Sequence, residues 1–253
     1  MSRQPRTVLV TGAARRIGRA IAQDLAAQGW SVAVHYHGSA DEAEMVVEEI
    51  EAFDGRAVAI KADLSDAGET LSLIANTVEQ FGAPLTALVN NASIFEDDRI
   101  DSFTPEGWQA HMNVNLMAPA LLIQQFAAQL PEGMTGNVIN MIDQRVLKLN
   151  PQYLSYTTSK SGLFSLTRTT AQALAPRIRV NAIGPGPTLP NHAQSDDMFA
   201  REASAVPMGF GPNLTEICAT VRFLLETHSL TGQMIALDGG QHLAWRTADI
   251  LED

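Results

Sequence analysis

The chain has 253 residues, 45% hydrophobic and 18% charged, with a formal net charge of −11. That is ample material for one large α/β core or two small ones, and the negative charge argues against a general nucleic-acid or anionic-membrane binder while leaving room for a local basic pocket. The only cysteine, Cys218, forms no internal disulfide and belongs to no metal-type cluster. Met1 to Arg6 are polar, without a signal-peptide core, and no run approaches the roughly 18 apolar residues of a membrane span. A soluble cytoplasmic protein is expected.

Thr7 to Thr11 is a β-branched run suited to a buried parallel strand. After the turn Gly12-Ala-Ala-Arg-Arg-Ile-Gly18, Ile21, Ala22, Leu25 and Ala26 form a helical stripe from Arg19 to Gln28, ended by Gly29. Strand and helix then alternate: strand Ser31 to Tyr36, helix Asp41 to Phe53, strand Ala57 to Lys61, helix Thr70 to Phe81, strand Ala87 to Asn90. A helix from about Trp108 to Leu130 is expected to kink at Pro119. Strand Asn137 to Ile142, helix Tyr156 to Ala175, strand Arg179 to Ile183, helix Ile217 to Glu226 and strand Gln233 to Leu237 complete the pattern. No linker divides it. The expectation is a single doubly wound Rossmann-type α/β domain over 1–253, with a seven-stranded parallel sheet and helices on both faces. The segment 184–211, with Pro185, Pro187, Pro190 and Pro207, breaks the rhythm and reads as a substrate loop or lid.

Strand, glycine turn and helix present free backbone amides and a helix N-terminus to a pyrophosphate. With Gly12 and Gly18 as its only glycines the motif is weak alone and gains weight from its place at the first strand. The second strand ends His35-Tyr-His37-Gly-Ser39, with no carboxylate until Asp41, and Arg15 and Arg16 lie in the turn opposite. Arg16, His37 and Ser39 would suit a 2′-phosphate, so NADP(H) is preferred over NAD. His35 and His37 could pair on a metal, but no third ligand is identifiable, and no metal is expected. Asp63-Leu64 is placed to meet the adenine, and the small residues of Asn91-Ala92-Ser93 allow close approach to the cofactor.

Tyr156 and Lys160, four apart, share one helix face. The ammonium is expected to lower the phenol from its reference near ~10 toward the range of a working acid. For an isolated pair a solvated surface is the simpler reading; the surrounding α/β pattern favours a site. Asp143 falls where a buried strand ends. Its carboxyl could donate a proton if burial keeps it protonated, accept N–H groups of an amino-pyrimidine edge as an anion, or simply cap a loop.

These residues resemble the short-chain dehydrogenase/reductase family across nearly the whole chain: Thr11-Gly12…Gly18, Asp63, Asn90-Asn91-Ala92, Asn115, Tyr156-x-x-x-Lys160, Arg179-Val-Asn181, Pro185-Gly186 and Thr231-Gly…Asp238-Gly-Gly240. Two departures, Arg16 for the middle glycine and Asp143 for the usual serine, are similar to the pteridine reductase branch with its bacterial dihydromonapterin reductase-like proteins, as are His35-Tyr-His-Gly-Ser39 and Asn91-Ala-Ser-Ile-Phe95. Gly38 departs from that branch, which often has a basic residue there. The resemblance implies that Arg16, His35 and Ser39 hold the 2′-phosphate, with Arg15, Ile17, Pro185, Gly186 and Thr188 also along the cofactor. It implies that Phe95 stacks on the substrate ring, that Asp143 and Tyr156 supply protons, that Lys160 binds the nicotinamide ribose, and that Asn115 positions a relay water through its backbone. The function implied is NADPH-dependent reduction of a C=N or C=O substrate of dihydropterin type. The alternatives are a ketone, quinone or 3-oxoacyl reductase and a non-enzymatic NADP-binding regulator. A homotetramer is the family's common assembly, and Ser161, Gly162, Ser165 and Thr169 would allow close helix approach, as would a neighbour in the same chain.

Overall fold

Along the first strand Val8 and Val10 face one way and Leu9 the other, and all three are completely buried. A strand covered on both faces belongs inside a parallel sheet sandwiched by helices. The computed structural model describes residues 5–191 and 194–245. Its strands are β1 (Thr7–Val10), β2 (Ser31–Tyr36), β3 (Arg56–Lys61), β4 (Ala87–Asn90), β5 (Gly136–Met141), β6 (Ile178–Pro185) and β7 (Met234–Leu237). They form one parallel seven-stranded sheet in the order β3-β2-β1-β4-β5-β6-β7, as expected. The order reverses direction between β1 and β4, which opens a crevice at their carboxyl ends.

Helices α1 (Arg16–Ala27), α2 (Ala40–Glu51) and α8 (Leu214–Glu226) cover the face of Val8 and Val10 through Ile21, Leu25, Val46, Ile217 and Val221. On the other face α3 (Ala67–Phe81), α5 (Ala118–Gln129) and α6 (Leu154–Leu174) bring Leu73, Leu122, Phe126 and Ala171 against Leu9, Leu88 and Val138. At ~25 cal/mol per Å² of apolar surface, each such leucine or valine contributes about 1.5–3 kcal/mol. Gly162 on α6 packs within the chain, since a Cβ there would come 2.7 Å from Leu116.

Two expectations change. The helix placed from Trp108 with a kink at Pro119 starts instead at Pro105, where Thr104 accepts the Gly107 N–H at 3.1 Å. It is α4 (Pro105–Met112), followed by a π-helical turn, Asn113–Met117, before α5. Pro119 sits in the first turn of α5, where a proline is tolerated, and the irregularity lies before it. The segment 184–211 is also less irregular than its prolines suggest: it holds α7 (Asp196–Ser204), capped by Ser195. That helix is nine residues long and buries none of them. Residues 192–193 of this segment, and the tail 246–253, lie outside the described residues.

Candidate active site

The glycine turn is held from below. Gly12 has φ +62, a left-handed backbone suited to glycine, and a Cβ there would come 3.0 Å from Ala92 Cα. Its N–H donates to His35 Nδ1 at 3.0 Å, and the Ala13 N–H donates to the His35 carbonyl at 2.8 Å. With its Nε2 3.1 Å from the Ala62 carbonyl, the imidazole is 2% exposed, and burial pushes it down to about 4. His35 therefore lies under the turn as a neutral clamp, not beside a phosphate as the resemblance implied. Among the described residues no group of His, Cys, Asp and Glu is arranged for a metal. Asn91 closes the turn from β4: its Nδ2 donates to the carbonyls of Thr11 at 2.9 Å and Gly12 at 3.2 Å. Thr11 Oγ1 accepts the N–H groups of Asn91 at 2.9 Å and Ala92 at 3.0 Å.

Arg16 keeps the left-handed backbone, φ +55, that its glycine-type position demands, at a cost of order 1 kcal/mol. Its guanidinium reaches the Pro190 carbonyl at 2.8 Å, tying the start of α1 to the segment after β6. Arg15 pairs with Glu42. His37 is exposed, 3.6 Å from Asp63 Oδ2, and Ser39 stands at the N-cap position of α2 without a side-chain cap bond. Asp63 accepts the Ser65 N–H and hydroxyl, which hold its carboxyl below the usual range, whereas Leu64 is buried in the core. Ile17 packs against the other core face. Beyond β6, the Gly186 N–H donates to Leu237 O at 2.9 Å and Thr188 Oγ1 to Gly186 O at 3.0 Å, with Pro185 closing the strand. No carboxylate lies between His35 and Ala40, and Arg15, Arg16, His37 and Ser39 border the turn, so the donor set fits a 2′-phosphorylated dinucleotide. Arg16 and Arg15 would need to leave their present partners for it.

The other half of the site is built on β5 and α6. Tyr156 is 6% exposed and donates its hydroxyl hydrogen to Asp143 Oδ2 at 2.8 Å. Asp143 Oδ1 accepts the Arg145 N–H at 2.8 Å, capping a 3₁₀ turn, Gln144–Val146. Lys160, 2% exposed, donates Nζ to the Met141 carbonyl at 2.8 Å and lies 5.7 Å from the Tyr156 ring centroid. Burial raises the Asp143 carboxyl, against the lowering pull of Arg145, Tyr156 and Lys160. Burial also raises the phenol, assisted by the charge and hydrogen bond of Asp143, and lowers Lys160 to about 8. The expectation that Lys160 makes Tyr156 more acidic is thus reversed here: the spacing is right, but desolvation and a nearer carboxylate dominate. Tyr156 keeps its proton.

Asn115 ties the two halves. It lies in the π-helical turn, with Oδ1 accepting the Ile94 N–H at 2.8 Å and the Ser93 hydroxyl at 3.2 Å. Its Nδ2 donates to Ile94 O at 2.9 Å and Ser159 Oγ at 3.1 Å, and Ser159 donates to Tyr156 O at 2.7 Å. Pro119, four residues on, has no N–H to offer the Asn115 carbonyl. Phe95, carried by the same loop, stands edge-on to Tyr156 with centroids 4.6 Å apart. The sequence reading missed Ser159 and Asp98, whose carboxylate takes the Ser155 N–H at 2.9 Å and the Ser155 hydroxyl. It also missed Tyr153, stacked on Phe95, and the Arg145 guanidinium above Tyr153.

Fold and site together define an NADP(H)-dependent oxidoreductase of Rossmann type. The chain belongs to the short chain dehydrogenase family, which it matches over residues 6–199. It is similar to the FolM alternative dihydrofolate reductase 1 of Brucella suis in complex with NADP, at 50% identity and a TM-score of 0.93 over 98% of each chain. The corresponding Brucella canis protein, complexed with NADP, is 49% identical with a TM-score of 0.93 over 97% of each chain. The 3-oxoacyl-[acyl-carrier-protein] reductase FabG of Staphylococcus epidermidis is 37% identical over 94% of this chain and 99% of its own.

Proposed function

We propose that this protein reduces a dihydropterin-type C=N bond with NADPH, dihydrofolate being one such substrate. The observation that carries the reading is the Tyr156–Asp143 hydrogen bond of 2.8 Å in a buried site, with a carboxyl where the family's usual residue is serine. Similarity to the FolM proteins supports it. When bound, the cofactor supplies a hydride to the imine carbon. Tyr156, protonated because burial raises it, gives its proton to the imine nitrogen, and Asp143, raised by the same burial, takes up a proton from solvent and passes it to the phenol oxygen. Phe95, one face of which is covered by Tyr153, stands beside Tyr156, where its ring would stack a flat heterocycle. Arg15, Arg16, His37 and Ser39 would hold the 2′-phosphate, with Gly12, Gly18, Asn91, Ala92 and Gly186 lining the approach. Lys160 fixes the floor beneath Tyr156 through Met141, and Asn115 fixes the loop that carries Phe95. Pro190, tied to Arg16, belongs to the stretch after β6 that would cover the substrate.

A second reading, 3-oxoacyl reduction, is favoured by the 37% identity to FabG. Replacing Asp143 with serine separates the two. The dihydropterin reading expects kcat/KM for dihydrofolate to fall at least roughly a hundredfold, the scale of a positioned proton donor. An Asp143→Ser enzyme that keeps its dihydrofolate rate would contradict it, as would a wild-type preference for a 3-oxoacyl thioester.

A further inference from the structure

Arg145 brings into the site a positive charge that forms an ion pair with no carboxylate among the described residues. Its backbone N–H is bound to Asp143 Oδ1, so the guanidinium starts only two residues from the carboxyl. Among the described residues, however, no ion pair joins them. The guanidinium instead lies over the Tyr153 ring, 4.9 Å from its centroid and 6.0 Å from that of Phe95. Those two rings are stacked 4.3 Å apart at 8°, and Phe95 meets Tyr156 edge-on at 81°. Arg145 Nη1 is buried and has no hydrogen-bond partner among the described residues. Tyr153 occupies the N-cap of α6 with φ 56 and ψ 50, a left-handed backbone uncommon for an aromatic residue, and makes no side-chain cap bond. Its carbonyl accepts the Thr157 N–H at 2.8 Å, while its ring lies parallel to Phe95 and beneath the guanidinium.

We infer that Tyr153, supported by Phe95, is a positioning residue: its ring face takes up the Arg145 guanidinium and withholds it from Asp143, so that this carboxyl remains able to carry the proton that Tyr156 delivers. The competition is physically close. A cation over an aromatic face is attracted by the ring quadrupole, and the Coulomb gain of a buried ion pair is largely offset by desolvation, so one ring decides the outcome. The charged and titratable groups facing Asp143 are Arg145 from its own turn and Tyr156 and Lys160 from α6. From β6 it meets the backbone position of Gly184, where a Cβ would lie 3.4 Å from the Asp143 carbonyl carbon.

The inference rests on the proton-delivering role of Asp143, and its test is independent of turnover. The Asp143 carboxyl is titrated by carbon-13 NMR in the cofactor-free protein for wild type, Tyr153→Leu, Tyr153→Phe, Arg145→Met and the Tyr153→Leu/Arg145→Met double variant. Removing the ring frees Arg145 to pair with Asp143, so Tyr153→Leu lowers the midpoint by roughly one to three pH units. Tyr153→Phe, which keeps a ring face, leaves it near wild type. Arg145→Met raises it, and the double variant follows Arg145→Met, since no cation remains to be released. A donor carboxyl must be protonated, so the alkaline limb of kcat should move to lower pH in Tyr153→Leu and to higher pH in Arg145→Met. An unmoved Asp143 midpoint in a folded Tyr153→Leu protein overturns the inference, as does the same drop in the double variant. If Arg145→Met raises KM alone and leaves the midpoint unchanged, Arg145 binds substrate and the inference is wrong. Midpoints that move as stated while the kcat limbs do not would uphold the positioning role and remove the proton-delivery reading.

Discussion

His35 offers a prediction whose size follows from the geometry. Its ring nitrogens are committed to the Gly12 N–H and the Ala62 carbonyl, and the ring is buried. A proton added to Nδ1 destroys the acceptor that Gly12 uses and places a charge in the core. The folded protein therefore holds this histidine near 4, below its ordinary 6.5. Between these values the unfolded chain binds the extra proton and the native one does not, so stability is full above about pH 6.5 and falls as the pH drops toward 4. At about 1.4 kcal/mol per pH unit, the loss over that window is about 3 kcal/mol. Urea unfolding from pH 7.5 to 4, run in parallel on wild type and His35→Leu, isolates it from the carboxylates titrating alongside. The variant begins less stable, with Gly12 unpaired, but its curve should decline less steeply over the window. Parallel curves, or a native His35 titrating near 6.5 by NMR, would refute the clamp.

Tyr156→Phe should reduce kcat by roughly 10²–10⁴-fold while leaving the Kd for NADPH, measured by fluorescence titration, near wild type. Arg16→Ala should narrow the NADPH-over-NADH preference in kcat/KM by about 10- to 100-fold, the scale of one or two charge-assisted hydrogen bonds; an unchanged ratio would remove Arg16 from the phosphate site. Asp98→Ala deprives Ser155 of two acceptor contacts at the first turn of α6. It should cost about 1–3 kcal/mol in urea unfolding, with Asp98→Asn recovering part of the loss.

The sheet was readable because its central strands, β1 and β4 among them, are buried on both faces and so appear as short, mainly apolar runs. Gly12 and Asn91 were readable because a tight turn against a neighbouring strand admits few residue types. Other features depend on contacts that sequence spacing does not carry. Asp98 meets Ser155 across 57 positions, and Asn115 reaches Ser159 across 44. His35 and His37 share a strand parity, yet β2 ends at Tyr36, so one ring is buried under the turn and the other is in solvent. Helix α7 is short, nine residues amid prolines and glycines, and buries no side chain. The Tyr156–Lys160 spacing put both residues on one face of α6, but a charge argument without burial gave the wrong sign for the phenol.

The role proposed for the buried Tyr156–Asp143 pair is reduction of a dihydropterin-type imine. It is tested most directly by mixing the enzyme with NADPH carrying deuterium at the transferable position and 7,8-dihydrofolate, then weighing the product by mass spectrometry. The expected outcome is a tetrahydro product bearing one deuterium, formed by wild type and lost in Asp143→Ser. Absence of deuterated product, with a 3-oxoacyl thioester taking up the label instead, would contradict it.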